Sequence, residues 1–393
     1  MVQTPIYLDN HATTRCDPAV LDAMWPWFAE RYGNPASRTH RFGLEANAAV
    51  EVARAEVAAL VGGNPKEIVF TSGATEADNL AILGLARVRT DRRHFVTGAT
   101  EHPAVLDPLA SLERAGWTVT RLPVDADGRI DPAELRRNLR PDTALVSLMA
   151  VNNEIGAIHP LAEIGAICRE ASVPFHIDAA QAGSVLRLDA NQVKADLISL
   201  SAHKMYGPKG IGALWVRRGR PRIALEPLQY GGGHERGMRS GTLPTPLIVG
   251  FGAAARLARE GFERGEPARI AALRDRLWAG IQAGVPGVSL NGGVAHRAAN
   301  NLNISIVNVE SQALIASLRD VALSSGSACS SATLEPSHVL RAIGLAPERA
   351  QGSVRFGLGR FTTEEEIDYV IARVVEAVHR LRALIEGGAP DGC

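Results

Sequence analysis

Residues 68–89, IVFTSGATEADNLAILGLARVR, decide the fold because they run from a strand through a turn into a helix. Ile68–Phe70 is a short apolar run typical of a buried strand, and apolar residues at helical spacing predict a helix over 75–89. The Ser72-Gly73 turn separates the two. Strands and helices continue to alternate outward from this stretch.

On the N-terminal side, residues 44–61 predict an amphipathic helix that ends at Gly62-Gly63, a C-cap signal. On the C-terminal side, helical stretches lie between most of a series of short apolar runs. These runs are strand candidates: Phe95–Thr97, Ala144–Val151, Pro174–Asp178, Leu197–Ser201 and Gly212–Val216. The alternation predicts an α/β fold, in which helices cover a mostly parallel sheet.

The pattern changes after residue 220 and suggests a smaller α+β domain. An irregular Gly/Pro-rich region is followed by two long helices, two strands and a last helix, at about 220–243, 245–264, 267–283, 302–307, 354–358 and 363–385. We expect a large domain over residues 15–260. The small domain would comprise residues 261–393 together with residues 1–14.

Charge and apolar patterning exclude several classes of protein. The chain has 42 basic and 42 acidic residues, and this balance argues against a protein that coats nucleic acid or an anionic membrane. No apolar run approaches the roughly 20 residues of a membrane span, and the N-terminus lacks a secretory signal pattern. The four cysteines include no CxxC pair, so we expect no metal site. We therefore expect a cytoplasmic protein.

Lysine is scarce, which makes Lys204 a candidate for chemistry. Only four of the 42 basic residues are lysines, namely Lys66, Lys194, Lys204 and Lys209. Lys204 follows a predicted strand and lies in the turn SAHKMYGPKG, where a surface role is the ordinary alternative. A lysine that forms a Schiff base cannot be replaced by arginine, because the pKa of arginine is too high.

Two further features complete a site for pyridoxal 5'-phosphate. The SGATE turn opens a helix whose free N–H groups and dipole suit a phosphate, although Thr75 could equally serve as a simple helix cap. Asp178 ends an apolar strand at the sheet edge that binds ligands, where it could hold a cationic ring nitrogen or cap the next helix. A phosphate site, an acidic partner and a lysine are what this cofactor requires.

Ten motifs in order over nearly the whole chain carry a more specific resemblance: YLDNHATT (7–14), GNPAS (33–37), SGATEADN (72–79), TEHPAV (100–105), VNNEIG (151–156), HIDAAQ (176–181), SAHKMYGPKG (201–210), GGGHERGMRSGT (231–242), SSGSACSS (324–331) and VRFGLGRFTTEEEID (354–368). With them the chain resembles the cysteine desulfurases of the NifS/IscS type, which are fold-type I pyridoxal-phosphate enzymes. The resemblance implies a seven-stranded sheet in the large domain, and a homodimer. His11, in the first motif, stands where many members carry a smaller residue.

The resemblance also implies roles for single residues. Four match positions around the cofactor ring: Lys204 as the Schiff-base lysine and proton shuttle, His102 as the stacking imidazole, Asp178 as partner of the ring nitrogen and Gln181 as partner of the phenolic oxygen. Others match cofactor contacts, mostly at the phosphate: Ala74, Thr75, Ser201, His203 and, from the neighbouring subunit, Thr242. Asn153 and Arg355 match residues that hold the substrate, and Arg355 suits a bidentate carboxylate clamp.

Cys329 is the predicted sulfur acceptor. Residues 324–331 contain no large apolar side chain, so we expect an exposed, mobile loop. The resemblance implies that L-cysteine is converted to L-alanine and that its sulfur remains on Cys329 as a persulfide. A sulfur-acceptor protein, such as an iron–sulfur scaffold, would then receive it. Cys168, in an apolar helical stretch, is expected in the core.

Several alternatives stay open from the sequence alone. A selenocysteine lyase or a cystine lyase would use the same scaffold. A non-catalytic interaction protein could keep the fold, although Lys204, Asp178, His102 and Cys329 count against it. An aminotransferase has no use for a cysteine on a mobile loop. A nicotinamide dehydrogenase would need a Gly-rich fingerprint that the sequence lacks.

Overall fold

The computed structural model describes residues 2–325 and 337–386. The strands in these ranges are β1 (Ile6–Tyr7), β2 (Ile68–Thr71), β3 (His94–Gly98), β4 (Thr118–Leu122), β5 (Thr143–Met149), β6 (Phe175–Asp178), β7 (Leu197–Ser201), β8 (Gly212–Val216), β9 (Val288–Leu290), β10 (Asn301–Ile306), β11 (Val321–Ala322) and β12 (Ser353–Gly357). The helices are α1 (Pro18–Met24), α2 (Pro26–Ala29), α3 (Arg41–Leu60), α4 (Ala74–Val88), α5 (Pro103–Arg114), α6 (Pro132–Asn138), α7 (Leu161–Glu170), α8 (Thr245–Glu263), α9 (Glu266–Gly284), α10 (Ser311–Ser317), α11 (His338–Ala342), α12 (Pro347–Gln351) and α13 (Glu364–Glu386). Within the described ranges, none of these helices is long and apolar enough to cross a membrane.

Seven of the described strands form the central sheet, in the order β2-β8-β7-β6-β5-β3-β4. Strand β8 is antiparallel to both neighbours, and the other adjacent pairs are parallel. The expected mostly parallel, seven-stranded sheet is therefore confirmed. Helices cover both of its faces, so successive residues of one strand enter different cores. Val146 and Leu148 of β5 join one buried cluster, and Leu145 joins another.

Most element limits follow the sequence pattern closely. The predicted helix over 75–89 is α4, and the long C-terminal helices are α8, α9 and α13. Strand β5 ends at Met149, before the predicted limit, and Val151 forms only an isolated bridge with Ile158. Strand β4 has no counterpart among the predicted strands. It is an edge strand whose side chains are mostly exposed or half-buried, and so it lacks the apolar run of the central strands.

A second, antiparallel sheet has the order β12-β10-β9 and packs against α9, which in turn packs against α13. Its core is a separate cluster that includes Leu302, Phe356 and Val374. Ile6 and Leu8 belong to the same cluster, and β1 pairs in parallel with β11. The division into residues 15–260 and residues 1–14 with 261–393 stays a prediction.

Strands β2, β6 and β7 end at the same edge of the central sheet. Strands β2 and β7 run in the same direction because both are antiparallel to β8, and β6 is parallel to β7. Helix α4 begins just after β2, while Asp178 and Ser201 are the last residues of β6 and β7. The three motifs singled out by the sequence therefore meet where open α/β sheets bind ligands.

Candidate active site

A cavity of about 770 Å³ opens at this edge of the sheet. Ten residues predicted from the sequence line it: Ala74, Thr75, His102, Asn153, Asp178, Gln181, Ser201, His203, Lys204 and Arg355. A smaller cavity of about 260 Å³ beside Cys168 contains none of these ten. Thr242 is exposed and does not line the large cavity, while Cys329 lies outside the described residues.

One end of the cavity is the N-terminus of α4. The N-cap residue is Gly73, and no side chain of the described residues caps this helix, so the alternative with Thr75 as the cap is wrong. The turn lies directly against β8, because a Cβ on Gly212 would come within 2.7 Å of Gly73 Cα. Ala74 and Thr75 line the cavity, so the first turn offers N–H groups without a side-chain acceptor. This arrangement fits a phosphate.

Asp178 lies at the end of β6 in buried, acidic surroundings. Its Oδ1 accepts a hydrogen bond from the backbone N–H of Ala180 at 2.9 Å, and burial raises its pKa. Burial also raises the pKa values of Asp78 and Glu101, and the negative charge of Asp178 raises both further. Such a site favours a cationic partner that would neutralise Asp178. A protonated ring nitrogen of pyridoxal phosphate fits this requirement.

His102 is the N-cap residue of α5, which fixes the protonation of its ring. Its Nδ1 accepts a hydrogen bond from the backbone N–H of Ala104 at 3.1 Å. The proton of the neutral imidazole is therefore on Nε2. Burial lowers the pKa of His102, despite the opposing charge of Asp178, so the neutral form is favoured. The ring lines the cavity and can offer a proton there.

Lys204 lies in a single helical turn that follows β7. Its Nζ donates to the backbone carbonyls of His11 and Ala12, the latter at 2.9 Å. The side chain is half-buried at the cavity wall, so the alternative of a surface lysine is wrong. In the neighbouring His203, Nδ1 lies 3.0 Å from Thr13 Oγ1. Burial, together with the charge of Lys204, lowers the pKa of His203 to about 4.

Arg355 comes from β12 of the second sheet and is 2% exposed. Its Nη1 donates to the backbone carbonyl of Asn153 at 2.7 Å. Its Nη2 donates to Asp9 Oδ1 and to Ser324 Oγ, each at 2.9 Å. These contacts hold the guanidinium group at the wall of the same cavity that Lys204 reaches. The cavity therefore lies between the two sheets.

Sequence reasoning missed the part played by the N-terminal segment, residues 9–14. Four of its side chains contact predicted site residues: Asp9 with Arg355, His11 with Gln181, and both Thr13 and Thr14 with His203. The motif YLDNHATT pointed to this segment without assigning any of its residues a role. A run of polar residues directly after the buried Ile6 and Leu8 was the available signal.

The two cysteines that the structure describes differ in their burial. Cys168 is buried in α7, and burial raises the pKa of its thiol to about 12, which confirms the prediction of a core residue. Cys16 is half-buried near the start of α1. Neither lines the large cavity. The loop that carries Cys329 lies largely outside the described residues, so its mobility stays a prediction.

Comparisons with known proteins agree with this geometry. The model of the aminotransferase class-V family matches residues 6–370. The cysteine desulfurase IscS of Anaeromyxobacter sp. (strain Fw109-5) is 57% identical over 385 residues, which are 98% of this chain and 95% of that protein. A solved NifS-like protein superposes with a TM-score of 0.89 at 35% identity, over 95% of this chain and 99% of that one. SspA, solved in complex with cysteine, superposes with a TM-score of 0.79 at 37% identity, over 91% of this chain and 100% of that one.

These matches define the class of protein. The chain belongs to the class-V aminotransferase family and, within it, to the cysteine desulfurases of the NifS/IscS type, as its motifs predicted. It is an enzyme that depends on pyridoxal phosphate, which confirms the predicted cofactor. The residues around the cavity fit that cofactor in the donor groups that they offer.

Proposed function

We propose that this enzyme converts L-cysteine to L-alanine and takes up the sulfur on Cys329 as a persulfide. One observation carries the proposal. The uncapped N-terminus of α4, the Asp178 carboxyl group and Lys204 line one cavity, into which Arg355 projects from the other sheet. An anion site, an acidic partner, an amine and a guanidinium group are thus available to one amino acid and one cofactor.

The residues proposed to hold the cofactor are those at the sheet edge. The first turn of α4, with Thr75, Ser201 and His203, would bind the phosphate. Asp178 would pair with the ring nitrogen, and Gln181 would bond the phenolic oxygen. When bound, pyridoxal phosphate supplies an electron sink that makes the α-proton of an amino acid acidic.

Lys204 and His102 are proposed to move the protons. Lys204 Nζ is held beside the N-terminal segment. From this position it would take the α-proton of the substrate. His102 offers Nε2–H, because its Nδ1 is engaged by Ala104. When Cys329 attacks the substrate's sulfur, the carbon of the broken C–S bond keeps the electron pair, and this proton is suited to that carbon. Both groups line the cavity and need no large rearrangement to serve it.

Arg355 and Asn153 are proposed to hold the substrate. A buried guanidinium group binds a carboxylate strongly because its two N–H donors match the two oxygens. The contact with the Asn153 carbonyl fixes the orientation of Arg355 before substrate arrives. The solved relative SspA is in complex with cysteine, which supports L-cysteine as the ligand.

Cys329 is proposed as the nucleophile that attacks the substrate's sulfur. The residues that flank the segment 326–336 support this role. Ser324 bonds Arg355, and Ser337 lines the cavity while it donates to Glu154 Oε2 at 2.6 Å. The segment thus leaves and rejoins the described structure at the substrate end of the cavity.

The finer assignments are part of the same proposal. We propose a homodimer in which Thr242 contacts the phosphate in the neighbouring subunit. A sulfur-acceptor protein, such as an iron–sulfur scaffold, would take the persulfide sulfur. The name of the relative IscS and the exposure of Thr242 support these assignments. A cytoplasmic location, without nucleic-acid or membrane partners, remains the prediction from the sequence.

The test is incubation of the purified enzyme with L-cysteine, with alanine and sulfide measured and the persulfide mapped by mass spectrometry. Cys329→Ala should abolish sulfur transfer, and Lys204→Ala should abolish alanine formation. Cys16→Ala is the matched control, because Cys16 is a free cysteine that does not line the cavity. Full sulfur transfer by Cys329→Ala, or turnover by Lys204→Ala, would contradict the proposal.

A further inference from the structure

His11 is a buried residue whose two ring nitrogens both meet side-chain amides. Its Nδ1 lies 3.3 Å from Gln181 Oε1, and its Nε2 lies 3.1 Å from Asn301 Nδ2. Its backbone carbonyl accepts hydrogen bonds from Gln181 Nε2 at 2.9 Å and from Lys204 Nζ. His11 is 1% exposed, and it lines the cavity. One residue therefore contacts two side chains of the proposed cofactor site.

The proton positions in this network follow from the guanidinium group of Arg297, which can only donate hydrogen bonds. Arg297 Nη1 donates to Asn301 Oδ1 at 2.9 Å, which fixes the oxygen side of that amide. Asn301 Nδ2 donates to the backbone carbonyl of Glu154 at 3.0 Å, and the same nitrogen faces His11 Nε2. Because Nε2 meets a donor, it must accept. The proton of the neutral His11 ring is therefore on Nδ1.

The same reasoning fixes the orientation of Gln181. His11 Nδ1–H donates to Gln181 Oε1, while Gln181 Nε2 donates back to the carbonyl of His11. The opposite amide orientation would set two acceptors against each other at the carbonyl of His11. Both ends of the amide are thus held by one residue, and one N–H of Gln181 Nε2 is left for a ligand.

We propose that His11 is a positioning residue, which sets the polarity of Gln181 so that an N–H group faces the phenolic oxygen of the cofactor. The inference rests on the proposed function, because Gln181 is the proposed partner of that oxygen. It also gives His11 a role beyond filling space. A carbonyl oxygen in the same place would repel a phenolate, whereas an N–H group stabilises it.

The surroundings keep His11 neutral, so this polarity does not change near neutral pH. Burial and the positive charges of Arg355 and Lys204 lower the pKa of His11 to about 3. Attraction to Gln181 and to the carbonyl of Asn300 opposes this shift and is weaker. A charged ring would also lose the hydrogen bond that Asn301 donates to Nε2. The neutral ring with its proton on Nδ1 is the form that satisfies the side-chain amides of both Gln181 and Asn301.

Three variants of the full-length protein test the inference. His11→Leu removes the donor to Gln181, whereas His11→Asn places an amide nitrogen near the position of Nδ1. His94→Asn is the matched control, because His94 is also buried and bonded at both ring nitrogens, to Thr143 and Thr120. His94 does not line the cavity. Melting temperatures of the apoproteins will show how far each variant affects folding.

The readouts are cofactor binding by the apoprotein and the visible absorption of the bound cofactor as a function of pH. We expect His11→Leu to weaken the binding of pyridoxal phosphate about 10-fold and to shift the pH at which the visible band changes. His11→Asn should restore both to within about threefold, and His94→Asn should change neither. Nitrogen NMR of the ¹⁵N-histidine-labelled apoprotein should report His11 with its proton on Nδ1.

Wild-type cofactor affinity and spectrum in His11→Leu would overturn the inference. A proton on Nε2, or no rescue by His11→Asn in a variant that melts like the wild type, would do the same. These results leave the proposed function intact. A wild-type protein that binds no pyridoxal phosphate and forms no alanine from cysteine would instead contradict the proposed function itself.

Discussion

At the scale of single residues, the buried acidic cluster lowers the stability of the fold but is useful to the reaction. Asp178, Asp78 and Glu101 are all buried, and burial raises the pKa of each. Carboxyl groups so placed lower the stability of the protein until a positive partner binds. Such a cost, paired with a clear chemical use, is typical of a functional site.

The substitution Asp178→Asn tests whether the reaction needs the negative charge of Asp178. The substitution keeps an oxygen that can accept from the N–H of Ala180, but it removes the charge that would stabilise a ring cation. We expect alanine formation to fall at least ~100-fold, because charge stabilisation at the reacting group is a large catalytic contribution. Steady-state assays at saturating cofactor measure the loss. Wild-type turnover would contradict the role of Asp178.

The same variant should not lose stability. A group whose pKa is raised on folding contributes stability at low pH and loses it as the pH rises through the folded-state pKa. Asp178 is such a group, so the apoprotein of Asp178→Asn should melt at the same or a higher temperature than the wild type above about pH 4. Thermal melts of both apoproteins from pH 4 to 8 check the sign. A lower melting temperature for the variant at pH 7 would refute it.

At the scale of elements, the irregular segment between β8 and α8 covers the outer edge of the central sheet. Glu235 in this segment accepts a hydrogen bond from the backbone N–H of Phe70 in the edge strand β2, at 2.8 Å. It also pairs with Arg54 of α3 through two contacts of 2.7 Å, and both side chains are buried. Arg54 in turn donates to the carbonyl of Ile68 at 3.0 Å. One buried ion pair thus ties a mostly irregular segment to a strand and a helix.

Glu235→Gln should lower the free energy of unfolding by up to about 3–5 kcal/mol, because the buried Arg54 charge then keeps only the exposed Glu51 as an ionic partner. The glutamine still offers an oxygen to the N–H of Phe70. The double variant Arg54→Met/Glu235→Gln removes this poorly compensated buried charge and should recover much of the loss. Urea denaturation of all three proteins measures the effect. A double variant that is less stable than Glu235→Gln would contradict the argument.

The elements that the sequence predicted are those with a local signal. The apolar patterns that predicted helix α4 and strand β6 each extend over only a few turns or residues. The predicted start of α4 and end of β6 put Thr75 and Asp178 at the sheet edge, where the structure has them. Strand β4 has a half-exposed, mixed pattern and was missed. The contacts of His11 with Gln181 and of Asp9 with Arg355 join residues far apart in the chain. No local pattern encodes such pairs, so the positioning role of the N-terminal segment required the structure.

At the scale of the whole molecule, the cavity depends on both sheets. Lys204 follows the central sheet, Arg355 belongs to the second sheet, and the N-terminal segment contacts both residues. Thr242 is the exception among the described residues predicted for the site, because it is exposed and does not line the cavity of its own subunit. An isolated subunit would then lack one proposed phosphate contact. The proposed homodimer, in which each subunit completes the site of the other, would resolve this mismatch.

Complementation between two inactive variants tests whether Thr242 acts across the dimer. Lys204→Ala removes the amine, and Thr242→Asp sets a negative charge against the proposed phosphate. When the two chains are co-expressed in equal amounts and assemble at random, half of the dimers are mixed. In each mixed dimer, the subunit with Lys204 receives Thr242 from its partner, so about one quarter of all sites should be intact. If Thr242 served its own subunit, no site would be intact. Alanine formation by the co-expressed proteins, compared with each variant alone, separates the outcomes, and activity no higher than that of the single variants would refute the shared site.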